Sequence, residues 1–399
     1  MPQNNTKSTL PSLKNAKLNN NTILLRLDLN VPLKNGRITD LTKIKESLPT
    51  IKYLLKHQCT IFIITHLGEP QGINKKLSTK VLIKPLEQLL KRKIAFAQIK
   101  KLTSSNPKTN KETNNTHNSI TLLENIRFEP EETTNNITLA KNIVTSTRAD
   151  IYVNDAFAVC HRAHASITQI PTLLPSYAGL LLKKEITELN KALYPKHPAI
   201  WIIGGAKLSK LNIILSALGH ADKVLLGGAL CLPFLITPAD EQTQTTVKKI
   251  KQHPHFKKII LPIDFACQNK TTNKITTNTI PTITQNLNTY DIGPKTIHLF
   301  QANLQQAKTI VWNGPLGYFE KKPFEKGTKE VISSIKKNQI SICGGGETNE
   351  AVHQLKLKNK FTHISTGGGA SLAYLCEEKL PGIEALKISK KGKNQTTTD

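Results

Sequence analysis

Between residues 199 and 371 the chain repeats one pattern five times: a short apolar run that ends in glycine. The copies are AIWIIGG (199–205), KVLLGGA (223–229), TIVWNGP (309–315), ISICGGGE (340–347) and HISTGGGAS (363–371). Apolar runs of this length bounded by glycine read as buried strands, and the residues after several of them have helical spacing. Strands alternating with helices make a parallel sheet, which binds ligands in the crevice at the carboxyl ends of its strands. Glycine there lets backbone come close to a ligand, and helix N-termini offer free N–H groups to phosphates. The pattern predicts an α/β fold with a nucleotide platform along one sheet edge.

The first half has strands that end differently. TILLRLDLNVP (22–32), TIFIITHLG (60–68), SITLLENIRF (119–128) and DIYVNDAF (150–157) finish in charged and polar residues. Helical stretches follow, with Ile44, Leu48, Ile51 and Leu55 on one face of the first. At 399 residues the chain exceeds one ordinary core. The expectation is two Rossmann-like, three-layer α/β lobes with parallel sheets and a cleft between them, 1–180 and 181–387. A hinge helix striped with Leu182, Ile186, Leu189 and Leu193 joins them, and 388–399 is a polar tail. Low-complexity 101–118 and polar 268–289 read as loops.

The formal charge of +27 raises the question of nucleic acid. Lysines are spread among Asn and Thr without an aromatic-interleaved stripe, so no specific nucleic-acid partner is expected. The six cysteines are scattered, with no C-x-x-C pair and no metal-ligand spacing, which fits reduced thiols in the cytoplasm. The N-terminal stretch has no apolar signal region, and the longest uncharged stretch, Val224 to Ala239, falls short of a membrane span.

Arginine is scarce and its placement informative. All six (26, 37, 92, 127, 148, 162) lie in the first half. Arg26, Arg127 and Arg162 can face one crevice with His66, His161 and His164, and guanidinium forks suit phosphate and carboxylate. An anion site in one lobe and a nucleotide site in the other point to phosphoryl transfer.

The same residues carry a family resemblance over nearly the full length. RLDLNVP (26–32), THLGEP (65–70), LLENIRF (122–128) and NDAFAVCHRAHAS (154–166) are followed by GGAK (204–207), LPIDF (261–265), DIGP (291–294), WNGPLGYFE (312–320), GGGET (344–348) and STGGGAS (365–371). In this content and order the chain resembles phosphoglycerate kinase. Neither a Walker A loop nor G-x-G-x-x-G is present, which sets it apart from P-loop kinases and dehydrogenases.

The resemblance implies a phosphotransferase with a carboxyl group as acceptor. It would interconvert 1,3-bisphosphoglycerate and ADP with 3-phosphoglycerate and ATP, with Mg2+ on the nucleotide, as a cytoplasmic monomer of glycolysis. Asp28 and Asn30, with Leu29 between them, would bind the triose hydroxyl and carboxylate. The run His66, Leu67, Gly68, Glu69 and the residues Arg26, Arg127, His161, Arg162 and His164 would surround its phosphate. The nucleotide would meet Gly204, Lys207, Lys210, Gly293, Asn313, Glu320, Gly345, Gly346, Glu347 and Thr348. Lys43, Lys207, Lys210, Gly346 and Gly369 would serve the transferring phosphoryl group.

Four positions depart from the family pattern. Lys43 replaces an arginine, keeping the charge but losing the fork. Glu69 replaces an arginine and brings negative charge toward a dianion, unless it swings into solvent. Leu211 holds the place of a second lysine, and Lys210, one residue early, is the expected substitute. Glu347 replaces an aspartate, its carboxylate one methylene further out yet able to serve magnesium, with water if needed. The alternative to a working kinase is a catalytically impaired paralogue that binds nucleotide or a protein partner. A basic nucleic-acid-associated protein on the same fold is the third reading.

Overall fold

The computed structural model describes residues 10–99, 118–207, 210–236 and 240–391. Apart from Asn118, the predicted loop from 101 lies outside these, as does the polar tail from 392. The chain divides into two compact units. Residues up to Glu185 together with those from Lys379 form the first, and Ile186–Glu378 forms the second.

The first unit is built on a six-stranded, fully parallel sheet of β1 (Thr22–Arg26), β2 (Thr60–Ile64), β3 (Ala95–Ala97), β4 (Ile120–Leu123), β5 (Ile151–Asn154) and β6 (Ser176–Ala178). Its spatial order is β3-β4-β2-β1-β5-β6. The four inner strands are the four predicted runs, each a few residues shorter than the apolar pattern. Register explains what the shortening achieves: Arg26 ends β1 beside Ile64 of β2 and Asn154 of β5. The polar segments that follow these strands therefore leave the sheet at one end. The edge strands AFA and SYA are too short and too rich in small residues to carry a readable period.

The second unit has its own parallel sheet of β7 (Ala199–Ile203), β8 (Lys223–Leu226), β9 (Ile259–Ile260), β13 (Thr309–Asn313), β14 (Ile340–Cys343) and β15 (His363–Ile364), in the order β9-β8-β7-β13-β14-β15. All five glycine-ended runs are strands of this sheet. Between β9 and β13 lies a separate antiparallel sheet, β11-β10-β12, of β10 (Phe265–Asn269), β11 (Ile275–Asn278) and β12 (Leu287–Ile292). This corrects the reading of 268–289 as a loop. The segment is polar because much of β11 is exposed, and its Ile/Thr content suits a one-sided antiparallel strand.

Each sheet packs its own core. Ile23, Leu25, Ile61, Ile63, Leu122 and Val153 meet Ile44, Ile51 and Leu54 of the helix Thr42–Lys56 in the first unit. In the second, Ile200, Ile202, Ile310 and Trp312 pack on Ile297 and Phe300 of the helix Pro294–Leu304. On the helix Thr42–Lys56 the buried residues are Ile44, Ser47, Thr50, Ile51 and Leu54, which keep the expected Ile44 and Ile51 and replace Leu48 and Leu55 by their preceding neighbours.

The helix Leu180–Leu193 carries the division between units at Glu185 and Ile186. The closing helix Pro381–Lys391 groups with the first unit, so the expected assignment of 381–387 to the second lobe, and of 388–391 to a tail, differs from the structure. The cause is local: Gly382 N–H donates to the Cys160 carbonyl at 2.9 Å. A Cβ on Gly382 would lie 2.7 Å from the Ile167 side chain, a closeness only glycine permits.

Candidate functional site

In the first unit the burial pattern keeps alternating beyond the end of β1. Leu27, Leu29 and Val31 are buried, whereas Asp28 and Asn30 are half-buried on the other side, as alternation requires. Asp28 uses one carboxylate oxygen to accept from Lys43 Nζ at 2.6 Å and the other to accept from Asn30 N–H at 3.2 Å. Asn30 Oδ1 accepts from Gly68 N–H at 2.8 Å, which fastens the turn after β2 to the turn after β1. Gly68 has φ of +65°, a backbone state that glycine adopts without strain. Its carbonyl accepts from Arg127 Nη1 at 2.7 Å.

Arg127 and Arg162 converge on the same place. Both reach Glu69 Oε1, Arg127 Nη1 at 3.3 Å and Arg162 Nη1 at 3.2 Å. Glu69 is 71% exposed, yet it bridges the two guanidinium groups instead of swinging away into solvent. The Arg162 hydrogen bond, then Arg127, holds its carboxyl below the usual range. Burial and the neighbouring Arg162 lower the pKa of Arg127. Two such cations side by side are what a dianion stabilises and what Glu69 half compensates.

Three histidines stand nearby and all are held neutral. Burial, then Arg26, Arg127, Lys43 and His164, keeps His66 well below its ordinary value. Burial and Arg162 lower His161. Burial, then Arg127, Arg26 and Arg162, brings His164 down to about 4. His164 Nδ1 lies 3.8 Å from Glu132 Oε1, but with a neutral ring this contact is not an ion pair.

Arg26 does not join the exposed anion site. It is 1% exposed, and its guanidinium is spent on Ser166 Oγ, the Leu27 carbonyl and His66 Nδ1. Leu29 and Leu67 likewise put their side chains in the core and leave only backbone groups for a ligand. Ser166 and Glu132, which sequence reasoning passed over, sit behind Arg26. Ser166 lies inside a recognised block, whereas nothing around Glu132 marks it.

In the second unit the glycine-ended strands bring backbone segments into close passage. A Cβ on Gly204 would stand 2.2 Å from the Pro315 carbonyl oxygen, and one on Gly314 would stand 2.0 Å from the Gly204 carbonyl oxygen. This contact welds the ends of β7 and β13 and opens a cavity of about 390 Å³ beside them. Its walls include Gly205, Gly228, Phe265, Tyr290 and Tyr318, a mostly apolar slot that also takes in the acidic residues Asp291, Glu320 and Glu347. That size and character suit a small organic ligand such as a nucleoside.

At one end of the slot Glu347 meets two lysines. Its Oε1 lies 3.2 Å from Lys207 Nζ, and its Oε2 accepts from Lys210 Nζ at 3.0 Å. Burial opposes its ionisation, but the Lys210 and Lys207 contacts outweigh burial and lower its pKa. Leu211 is 3% exposed, so the position of the family's second lysine faces the core while Lys210 reaches the site. The helix Gly346–Gln354 begins at this point with acidic Glu347 in its first turn. Glycine-capped helix Gly369–Leu375 follows β15.

Other expected nucleotide residues act as fasteners. Asn313 is 1% exposed and donates from Nδ2 to the Gly344 carbonyl at 3.0 Å. Thr348 Oγ1 accepts from Gly314 N–H at 2.6 Å. Gly293 is pressed against the Asp264 carboxyl, where a Cβ would come within 2.3 Å. None of the three lines the cavity. Phe265 and Tyr318, which do, lie inside recognised blocks but were given no role there, and Tyr290 was passed over because a solvated-loop reading covered the segment before it.

Among the described residues no three His, Cys, Asp or Glu groups come together to hold a metal ion, and no helix is long and apolar enough to cross a membrane. An arginine-lined anion site in one unit and a glycine-walled slot with paired lysines in the other define a nucleotide-dependent phosphotransferase, a kinase.

The chain belongs to the phosphoglycerate kinase family, whose model matches residues 13–378. Phosphoglycerate kinase of Thermosipho africanus is 39% identical over 405 residues, covering 96% of this chain and 99% of that protein. The Dictyoglomus turgidum enzyme of the same name is 39% identical over 404 residues, covering 96% and 99%. Among solved structures, phosphoglycerate kinase from Coxiella burnetii superposes with a TM-score of 0.84 at 31% identity, over 95% of this chain and 99% of that one. The Pyrococcus horikoshii enzyme gives 0.79 at 29% identity, over 96% and 100%.

Proposed function

We propose that the chain catalyses reversible transfer of the acyl phosphate of 1,3-bisphosphoglycerate to ADP, giving 3-phosphoglycerate and ATP. The observation that carries this reading is the convergence of Arg127 and Arg162 on one oxygen atom in the first unit, next to a neutral His66 and the Asp28–Lys43 pair. Such a cluster binds a phosphate dianion and a short hydroxy acid. Asp28 and Asn30 take the hydroxyl and carboxylate, and Arg127 and Arg162, with His161 and His164 beside them, take the far phosphate. Gly68 contributes the turn that holds Arg127.

The slot of the second unit receives the nucleoside, with Glu320 at a ribose hydroxyl. Lys207 and Lys210 neutralise its phosphates, leaving Glu347 for the counter-cation. Magnesium would enter with the nucleotide substrate, where Glu347 would be the carboxylate nearest the lysines that meet the phosphates, and its charge would screen the transferring group. Free N–H groups at Gly345, Gly346 and Gly369 meet that group's oxygens, and Lys43 adds charge. Gly204, Gly293, Asn313 and Thr348 serve by holding the strand ends in place. Phosphoryl transfer asks for in-line positioning and charge compensation rather than covalent help. The helix Leu180–Leu193 is the proposed hinge. The enzyme is proposed to act as a cytoplasmic monomer on small molecules.

Steady-state turnover with 3-phosphoglycerate and MgATP, coupled to glyceraldehyde-3-phosphate dehydrogenase, tests the reading. Turnover abolished by Lys207→Ala supports it. Absence of turnover in protein that still binds MgADP refutes it.

A further inference from the structure

Behind the anion site runs a buried chain of polar groups without a stated role. Glu132 is 0% exposed and accepts twice from Ser166, from N–H at 2.8 Å and from Oγ–H at 2.6 Å. Ser166 Oγ, its one proton given to Glu132, accepts from Arg26 Nε at 2.9 Å. Arg26 Nη1 is held by the Leu27 carbonyl at 2.6 Å, and Nη2 faces His66 Nδ1 at 3.3 Å. Tyr152 adds a further tie from its hydroxyl to the Ser166 carbonyl at 2.6 Å. Burying a carboxylate and a guanidinium seldom repays their desolvation, so a retained pair of this kind calls for a use in geometry.

A guanidinium only donates. Its partner, His66 Nδ1, must therefore accept, and a neutral imidazole that accepts at Nδ1 carries its proton on Nε2. We infer that Glu132 and Ser166 are positioning residues for substrate capture, which lock Arg26 so that Arg26 fixes His66 as the neutral Nε2–H tautomer. This rests on the proposed assignment of His66 to the 3-phosphoglycerate site. The charged and titratable groups facing His66 are Arg26, Arg127, Lys43 and His164, of which the first three are cations, so the ring is kept from taking a second proton. His66 then offers a fixed hydrogen bond to an anionic oxygen without titrating across neutral pH.

Histidine-selective 15N NMR of the full chain reads this directly. The chain has 12 histidines, and His66→Gln assigns the resonance. Wild type is expected to show Nε2 protonated and Nδ1 bare through the pH range in which an ordinary histidine takes up its second proton, with the signal shifting on addition of 3-phosphoglycerate. In Glu132→Gln an amide N–H replaces the acceptor of the Ser166 hydroxyl, so Ser166 Oγ can no longer hold Arg26 in the same way. KM for 3-phosphoglycerate should rise about tenfold, the scale of one charge-assisted hydrogen bond, with kcat within about twofold. Ser166→Ala should match it, and Ser166→Thr should retain wild-type KM. A proton on Nδ1, or titration of His66 near its ordinary value, overturns the relay even if a variant fails to fold. The expected tautomer with no response to 3-phosphoglycerate would instead overturn the assignment of His66 to the substrate.

Discussion

Replacing Glu69 by glutamine removes the carboxylate that bridges Arg127 and Arg162 while keeping the size of the side chain. In the structure this carboxylate makes two contacts, at 3.3 and 3.2 Å, from a side chain 71% exposed to water. Exposed pairs of this type contribute about 0.5 kcal/mol each, so a phosphate that displaces Glu69 forfeits about 1 kcal/mol. That corresponds to about a fivefold weaker affinity. Glu69→Gln should therefore lower KM for 3-phosphoglycerate about fivefold. Ground state and transition state share the loss, so kcat should not move. The assay is coupled turnover at low ionic strength, repeated at about 0.5 M salt, where screening should shrink the difference. An unchanged KM would refute the competition. A raised KM would mean that Glu69 holds the two arginines where the substrate needs them.

Lys210→Ala should lower kcat at least tenfold, about the worth of one charge-assisted hydrogen bond to the transferring group. Leu211→Lys should not restore it, because Leu211 points into the core. Lys43→Arg, which supplies a fork beside Asp28, should raise kcat by up to about tenfold in the same assay. Burial lifts the Asp155 carboxyl from 3.8 to about 6, against hydrogen bonds from Thr50 and the Leu182 N–H. A folded-state pKa above the unfolded one gives stability that is full below about 4 and is lost as pH rises through 6. Urea midpoints at pH 5 and pH 8 should show that loss in wild type and a flatter profile in Asp155→Asn.

The inner strands were readable because each is an apolar run with a marked end, and burial on both faces leaves such runs little alternative. Asp28 and Asn30 were readable for a related reason, since alternation persists past Arg26 and places both on one side. Pairing was not. Glu69 and Glu347 each find opposite charges distant in sequence: the register of β4, β2, β1 and β5 brings Arg127 and Arg162 to Glu69, and that of β7, β13 and β14 brings Lys207 and Lys210 to Glu347. Arg26 was misread because scarcity suggested a ligand contact, whereas its neighbours in space make it a buried brace. The sheet over 265–292 was missed because half-exposed strands of Thr and Asn have the composition of a loop.

The return of the helix Pro381–Lys391 to the first unit bears on the order in which the protein forms. The second unit is continuous in sequence, so all of it has been synthesised before that helix exists. The first unit has its sheet early but must wait for the closing helix, with Gly382 seated against Cys160 and Ile167. During synthesis the surface that this helix later covers stays open while some two hundred intervening residues, Ile186–Glu378, are made. Domains fold as units as they emerge. The contiguous one is thus free to finish first, and the nascent first unit is the one that a chaperone would meet incomplete.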